Sequence, residues 1–405
     1  MIKRNNKKGF TIVELVIVIA VIAILAAVLI PTFSGIVKKA NLSADQQAVR
    51  QMNVALAAAS AEKTPANIDD VAKILSDAGF NAEDTLVPVS KDHRFYWSAT
   101  YNTIVLVKGT EVVFPTDNDD LVNGFETENN SGKCYDLKLG YGKTEIAGVE
   151  DLKNALANGE NVAFNTKSET PIALTLSAEN HSNNKVGRKY GMLVEAGEVV
   201  SIDLGGNTLT TDAESVGLVV EGEVVLSNGT ISSRGITVLP GGKLTIEDGV
   251  TVEASADNGG AAIRNFGVVT INGGTFNAVG GDKGEDITYE PGCIYNEGYM
   301  VINGGTFTAD SSCYAIITSG TLIINDATVT ASRGAVSVNS GEVVIEKGTF
   351  NVLGQEFQNT GYAVYFEGAE RSTCTINGGT FTKANTDVVF GGDGVATDAF
   401  KDNRK

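Results

Sequence analysis

The chain has 405 residues, of which 46 are glycine and only seven are proline, and its formal net charge at pH 7 is −18. Six of the 31 basic residues but only one of the 49 acidic residues lie in the first 39 positions, so the remainder carries a net charge of −23. Such an acidic body repels phosphate groups, which excludes nucleic acid as an expected partner, and the glycine content favours short strands joined by turns over a helical bundle.

The chain begins with a short basic segment followed by a long apolar run. Every residue from Leu15 to Ile30 is apolar, and the run starts at Phe10. A helix needs about 20 such residues to cross a hydrocarbon layer of about 30 Å. Basic residues before the run hold its start in the cytoplasm. We therefore expect one membrane span over about 10–30 in the inner or cytoplasmic membrane, with a cytoplasmic N-terminus and the rest of the chain outside.

Two ordinary interpretations of this segment explain only part of it. A secretory signal has a shorter apolar region, of about 7–15 residues, followed by a small-residue cleavage site. A plain membrane anchor explains the length, but the carboxylate of Glu14 lies inside the apolar run and is costly there unless it has a role. A third interpretation, in which the carboxylate is functional, accounts for all of these features together.

The stretch KKGFTIVELVIVIAVIAILAAVLIP resembles the leader and helix start of type IV pilins and related pseudopilins. The resemblance implies that a prepilin peptidase cuts between Gly9 and Phe10, behind the basic residues Lys7 and Lys8, and that the new N-terminus is methylated. It implies as partners the membrane, the peptidase, other pilin subunits and the pilus assembly machinery. It also implies a final location at the cell surface or in a pilus.

This resemblance suggests why a carboxylate lies in the apolar run. Cutting after Gly9 creates a cationic amine on Phe10 in an apolar setting, where an opposite charge offsets the cost of a lone charge. We expect Glu14 to supply that charge to a neighbouring subunit and so to set the axial register of a filament. The alternative is that Glu14 only reaches back to the membrane interface.

Helical spacing continues beyond the apolar run, so the helix is predicted over 10–62 with a kink at Pro31. A second short helix ending at Gly79, followed by strands of apolar character, predicts a small α+β head. The next segment is polar and acidic, with few large apolar residues, and is predicted to be a solvated linker.

The second half of the chain repeats a unit of about 22 residues, in which INGGTF starts at Ile271, Ile302 and Ile376. Strand-length pieces without helical patterns between them predict a right-handed parallel β-helix with three strands in each coil. Its interior is predicted to contain one ladder of stacked side chains, formed by Phe276, Phe307, Phe350 and Phe381 in register with Leu209, Ile231 and Val329. The region resembles pectate-lyase-like β-helix domains in architecture and repeat pattern, but not in catalytic motifs.

The predicted fold is therefore a long N-terminal transmembrane helix with a small α+β pilin-like head, followed by an all-β solenoid. The expected boundaries are 1–9 for the leader, 10–62 for the helix, 63–115 for the head, 116–147 for the polar linker, 148–391 for the β-helix with an N-terminal cap helix, and 392–405 for a C-terminal tail.

Catalysis is not expected of the solenoid. Enzymes of this architecture use clustered or paired aspartates, with a basic residue nearby in the lyases, and no such arrangement is present in the repeats. One long insertion is acidic, and it is either a weak Ca²⁺ site or a solvated loop formed by Asp282, Glu285, Asp286 and Glu290. No other cofactor or metal is expected.

A binding role fits the solenoid better than catalysis, because a long prism can hold an extended glycan or a host surface. The tyrosines near the long insertion either stack on sugar rings or cover the coil edge; they are Tyr289, Tyr295, Tyr299 and Tyr314. The favoured function is a minor or tip pilin that displays the β-helix for adhesion or glycan binding. The alternatives are a pseudopilin of a secretion or DNA-uptake system and a surface-tethered polysaccharide lyase.

Overall fold

The computed structural model describes residues 12–81, 86–178, 180–181, 187–255, 260–279, 292–309, 314–353, 361–368, 372–384 and 389–404. Within these ranges the chain forms an N-terminal helical and α+β unit followed by three parallel sheets. The helices are α1 (Ile12–Ser60), α2 (Ile68–Asp77), α3 (Asp119–Asn130) and α4 (Val149–Ala157), with short 3₁₀ helices at Leu137–Gly140 and Asp393–Ala396.

The helix α1 is continuous from Ile12 to Ser60 and contains Pro31. The kink at Pro31 therefore stays a prediction. Near its C-terminal end α1 buries Val49, Met52 and Leu56, which recur at helical spacing on one face. In the part of the chain that the structure describes, no helix has both the length and the mean hydropathy that a membrane span requires.

The outer end of α1 packs in a small α+β unit, here called the head. Its antiparallel sheet has the strand order Glu111–Phe114, Thr103–Lys108, His93–Ser98 and Cys134–Asp136. One face of the sheet buries Phe95 and Trp97 against α1 and α2. The other face buries Tyr96 against α3. The sheet is thus covered on both sides, which explains its nearly continuous apolar sequence.

The segment 116–147, predicted as a solvated linker, contains regular structure. The side chain of Asn118 caps α3 by accepting a 3.0 Å hydrogen bond from the backbone N–H of Leu121. Leu121 and Phe125, one turn apart, bury the apolar face of α3, and the rings of Phe125 and Tyr96 meet edge to face at 5.4 Å. Two large apolar side chains therefore suffice to dock this polar helix.

Three parallel sheets wind together through the second half of the chain as a parallel β-helix, and successive strands of the regular coils pass from sheet 1 to sheet 2 to sheet 3. Sheet 1 has the strands Thr144–Ile146, Val162–Phe164, Val199–Asp203, Glu223–Ser227, Lys243–Ile246, Val268–Ile271, Tyr299–Ile302, Thr321–Ile324, Glu342–Ile345, Thr373–Ile376 and Phe400–Asp402. Sheet 2 has the strands Ile172–Ala173, Thr208–Thr210, Gly229–Ser233, Val250–Ser255, Thr275–Val279, Thr306–Ala309, Thr328–Ala331, Thr349–Val352 and Thr380–Lys383. Sheet 3 has the strands Tyr190–Val194, Val216–Val220, Ile236–Val238, Ile263–Asn265, Ile294–Asn296, Tyr314–Thr318, Gly334–Val338, Val364–Phe366 and Phe390–Gly391.

The predicted interior ladder is confirmed. Strand pairing in sheet 2 aligns Leu209, Ile231, Val252, Phe276, Phe307, Val329, Phe350 and Phe381 in consecutive coils. Neighbouring phenylalanine rings stack with centroids 4.9 Å apart for Phe276 and Phe307, and 4.7 Å apart for Phe350 and Phe381. This spacing matches the distance of about 4.8 Å between neighbouring strands.

Both ends of the solenoid are closed, and both extend past the predicted boundaries. At the first coil, α4 buries Leu152 and Leu156 in the solenoid core. Sheet 1 already begins at Thr144–Ile146. At the other end, Phe400–Asp402 pairs with Thr373–Ile376, so the predicted C-terminal tail supplies a further strand. Phe390 and Phe400 pack against the last rings of the core at this end. The helix at one end and these rings at the other cover the apolar core, which limits association with other chains through the open ends.

Candidate functional sites

The residues of the N-terminal assembly segment are only partly described. Gly9, Phe10, Lys7 and Lys8 lie outside the described residues. Glu14 lies in the first turn of α1 with an exposed side chain. A carboxylate in this position also interacts favourably with the positive end of the helix dipole.

The predicted glycan-contacting tyrosines do not share one surface. Tyr295 and Tyr314 lie on sheet 3, where Arg264 and Arg333 stand over their rings at 5.8 and 5.7 Å. Tyr299 begins a strand of sheet 1 instead. Tyr289 and the acidic set Asp282, Glu285, Asp286 and Glu290 lie outside the described residues. Among the described residues, no three potential metal-ligating acidic, His or Cys side chains cluster. The tyrosine contacts and the Ca²⁺ site both remain predictions.

A feature that the sequence analysis missed is a row of threonines on the outer face of sheet 2. Inward and outward side chains alternate along a strand, so the residue before each interior ladder position points outward. That residue is threonine in eight consecutive coils. The members of this threonine row are Thr208, Thr230, Thr251, Thr275, Thr306, Thr328, Thr349 and Thr380.

The middle of the threonine row forms one wall of a polar groove of about 570 Å³, at the turn between sheets 1 and 2. The opposite wall includes Asn272 and Asn303, which belong to a hydrogen-bonded asparagine row that continues to Asn325 outside the groove lining. The side-chain amide of Asn303 donates to Oδ1 of Asn272 at 2.9 Å, and the amide of Asn325 donates to Oδ1 of Asn303 at 2.7 Å. The groove is lined by residues 248–251, 272–275, 303–306 and 326–328. The threonine before each interior residue was the signal in the sequence.

A second cluster joins the head to sheet 1 of the solenoid. The guanidinium of Arg94 lies 3.6 Å from the carboxylate of Asp136 and 3.7 Å from that of Glu223. Lys243 pairs with Glu223 at 3.1 Å and also donates to Oδ1 of Asn129 in α3 at 2.6 Å. Glu223 and Lys243 of the solenoid are thus largely buried at this contact, and Glu223 pairs across it with the partly exposed Arg94 of the head. Asp136 pairs with Arg94 within the head.

Burial raises the pKa of Asp136 to about 6, and repulsion from Glu223 adds to the increase. These effects outweigh the backbone N–H of Lys138 and the charges of Arg94 and Lys138, which lower the pKa. The folded state thus binds the proton of Asp136 more tightly than the unfolded chain, whose carboxyl has the ordinary pKa of 3.8. The resulting stabilisation is complete below about pH 4 and is lost as the pH rises through 6.

An Asp136→Asn variant should remove this pH dependence. At pH 7 we expect its free energy of unfolding to exceed that of the parent by as much as about 2–3 kcal/mol, with the difference vanishing near pH 4. Thermal unfolding between pH 4 and 8, followed by Trp97 fluorescence, measures the effect. The exposed Asp117, outside the helices and strands, offers a matched control, since Asp117→Asn should change the free energy of unfolding by less than about 0.5 kcal/mol. A difference between Asp136→Asn and parent that stays constant with pH would contradict the assignment.

Comparison with known proteins identifies a motif near the N-terminus of the chain. Residues 4–30 match the family model of the prokaryotic N-terminal methylation motif. Over 37 residues the chain is 65% identical to the type IV wide pilus major component PilA4 of Thermus thermophilus, a match that covers 9% of this chain and 28% of that protein. The chain thus carries a type IV pilin-type methylation motif. No solved structure matches it significantly, so the likeness to pectate-lyase-like domains rests on architecture alone.

Proposed function

We propose that the protein is a type IV pilin-like surface subunit, in a minor or tip position, that displays its β-helix for adhesion or glycan binding. The observation that carries this proposal is the methylation motif at residues 4–30, which includes Glu14 and whose residues from Ile12 onward form the first part of the 49-residue helix α1. The outer end of that helix is held in an α+β head, an arrangement suited to a subunit that assembles through its helix and exposes the rest.

In this proposal a prepilin peptidase cuts after Gly9 and the amine of Phe10 is methylated. Before assembly, the segment over about 10–30 spans the inner or cytoplasmic membrane once, with its N-terminus in the cytoplasm. The assembly machinery then moves the subunit into a filament beside other pilin subunits. The apolar run and the basic residues before it support this orientation.

The size of the displayed part supports a minor or tip position. Three stacked sheets of nine to eleven strands follow the head, and a body of that size crowds a helical lattice of identical subunits. The repeated turns provide a scaffold for binding, and we propose no turnover by the solenoid.

The proposal is tested by mass spectrometry of the N-terminus of the native protein, combined with immunogold labelling of surface filaments. We expect a mature chain that begins with methylated Phe10, and labelled filaments. A native chain that begins at Met1 or downstream of residue 30 would overturn the proposal. Correct processing without labelled filaments would favour the pseudopilin alternative.

A further inference from the structure

We propose that the polar groove between sheets 1 and 2 binds an uncharged, extended polysaccharide chain lying along the solenoid axis. This inference rests on the proposed function, because it names the site and the ligand class of the displayed β-helix. All residues of the groove lie in the part of the chain that the structure describes, and none of the tyrosines predicted as glycan contacts lines it.

The groove has the length and direction of a polymer site. It crosses four consecutive coils, and three steps of about 4.8 Å make it about 14 Å long. The threonine row lines one side with Thr251, Thr275, Thr306 and Thr328. Asn272 and Asn303 line the other side at the two middle coils, so a ligand along the axis meets a threonine hydroxyl at every coil and a side-chain amide at the two middle ones.

The floor of the groove is backbone without side chains. Gly274 and Gly305 have φ of +99° and +118°, a region in which other residues are strained. A Cβ on Gly274 would also lie 2.5 Å from the carbonyl oxygen of Val250. The coil geometry thus keeps these positions as glycine and keeps the groove open.

The repeating chemistry of the walls points to a glycan rather than a peptide. Hydroxyls and side-chain amides both donate and accept hydrogen bonds, as sugar hydroxyls do. A pyranose unit of an extended chain is about as long as one coil step, so each ring can meet a threonine hydroxyl, and the two middle rings can also meet an asparagine amide. The apolar members of the lining, Val250 and Ala327, are buried and offer no anchor for a peptide side chain.

Strand propensity alone does not explain why every member of the threonine row is threonine. Threonine is favoured in strands, which explains single occurrences. However, the outward positions two residues further along the same strands are not uniform, since they include Ser232, Glu253, Asn277 and Asn351. Only the row beside the groove keeps the hydroxyl in every coil.

The charges at the groove favour an uncharged ligand. Asp248 and Asp326 lie at its two ends. Oδ1 of Asp248 accepts a hydrogen bond from the backbone N–H of Gly249, and Asp326 pairs with Lys347 at 2.7 Å. Carboxylates accept strong hydrogen bonds from sugar hydroxyls, whereas they repel uronate or sulfate groups.

The walls are already ordered, which lowers the entropy lost on binding. The amides of the asparagine row are held by their hydrogen bonds to one another, and threonine is stiff at χ1. Fixed groups of this kind improve affinity because fewer side chains have to be immobilised.

Affinity electrophoresis of the detergent-purified full chain tests the inference, in native gels that contain hydroxyethyl cellulose, galactomannan, arabinoxylan or polygalacturonate. We expect at least one of the three neutral polymers to retard the parent, and polygalacturonate not to. The double variant Thr275→Val/Thr306→Val removes two groove hydroxyls while keeping side-chain shape and should lower the affinity about tenfold. The matched double variant Thr349→Val/Thr380→Val, in the same row beyond the groove, should bind within about twofold of the parent.

The inference is overturned if no neutral polymer retards the parent, if polygalacturonate binds best, or if both double variants bind alike. Far-UV circular dichroism establishes that the variants are folded. Filament labelling separates this result from the proposed function, since the groove variants should enter filaments as the parent does. Labelled filaments without polymer binding overturn only the groove assignment, whereas polymer binding by a chain absent from filaments overturns only the filament role.

Discussion

A Glu14→Ala variant should be cut after Gly9 as the parent is, yet it should enter filaments at least about a hundredfold less often. In the proposed filament, the amine of Phe10 in the neighbouring subunit would then have no counter-charge in an apolar bundle. Removing one partner of a buried ion pair costs about 3–5 kcal/mol, which corresponds to more than a hundredfold in an equilibrium constant. Immunoblots of sheared filaments and of the membrane fraction, compared for variant and parent, measure the effect.

Two further variants separate charge from general damage to the helix. Glu14→Asp keeps the negative charge and should retain part of the incorporation. Glu62→Ala removes an exposed carboxylate just beyond the C-terminal end of α1 and should be incorporated like the parent. If Glu14→Ala entered filaments as well as Glu62→Ala does, the charge pair would not set the register.

Truncating Phe350 to alanine should lower the free energy of unfolding of the solenoid by about 3–5 kcal/mol, the usual cost of a large cavity in a core. Phe350 is fully buried and stacks on Phe381 at 4.7 Å. In a structure whose coils contact only their neighbours, this loss is concentrated at one point along the axis. Urea unfolding followed by hydrogen–deuterium exchange of peptides from the solenoid strands should show a clearly lower midpoint.

Leu353 provides the matched control for this prediction. It directly follows the strand that contains Phe350, but 46% of it is exposed, so Leu353→Ala should change the free energy by less than about 0.5 kcal/mol. Trp97 is the single tryptophan of the chain and lies in the head, so its fluorescence follows that unit separately. Equal midpoints for the two variants would show that the phenylalanine stack contributes little.

The solenoid was predictable from sequence because its pattern is local and repeated. Each coil supplies its own inward residue, so an insertion between Phe276 and Phe307 does not disturb their alignment. The segment 116–147 was less predictable, since its structure depends on distant partners. The strand Cys134–Asp136 forms by pairing with His93–Ser98. Helix α3 is held by two buried side chains and by hydrogen bonds from Lys243 and Thr270 of the solenoid.

The two candidate sites also differ in how far the sequence alone reveals them. The assembly motif is contiguous in sequence and could be found without a structure. For the groove, the sequence shows only a threonine before each interior residue, and these threonines form a surface only when the coils stack in register. The tyrosines were grouped by closeness in sequence, but within four residues the chain passes from Tyr295 on sheet 3 to Tyr299 on sheet 1.

The contact between head and solenoid has a mechanical consequence. Besides the buried charges, Thr270 of sheet 1 donates to the backbone carbonyl of Asn130 at 3.0 Å, and Lys138 donates to that of Gly159 at 2.8 Å. Tension applied through α1 is therefore transmitted to the solenoid by short, directional bonds instead of being absorbed by a slack tether. In the proposed filament, a pull on α1 would therefore reach a ligand bound to the solenoid with little elastic delay.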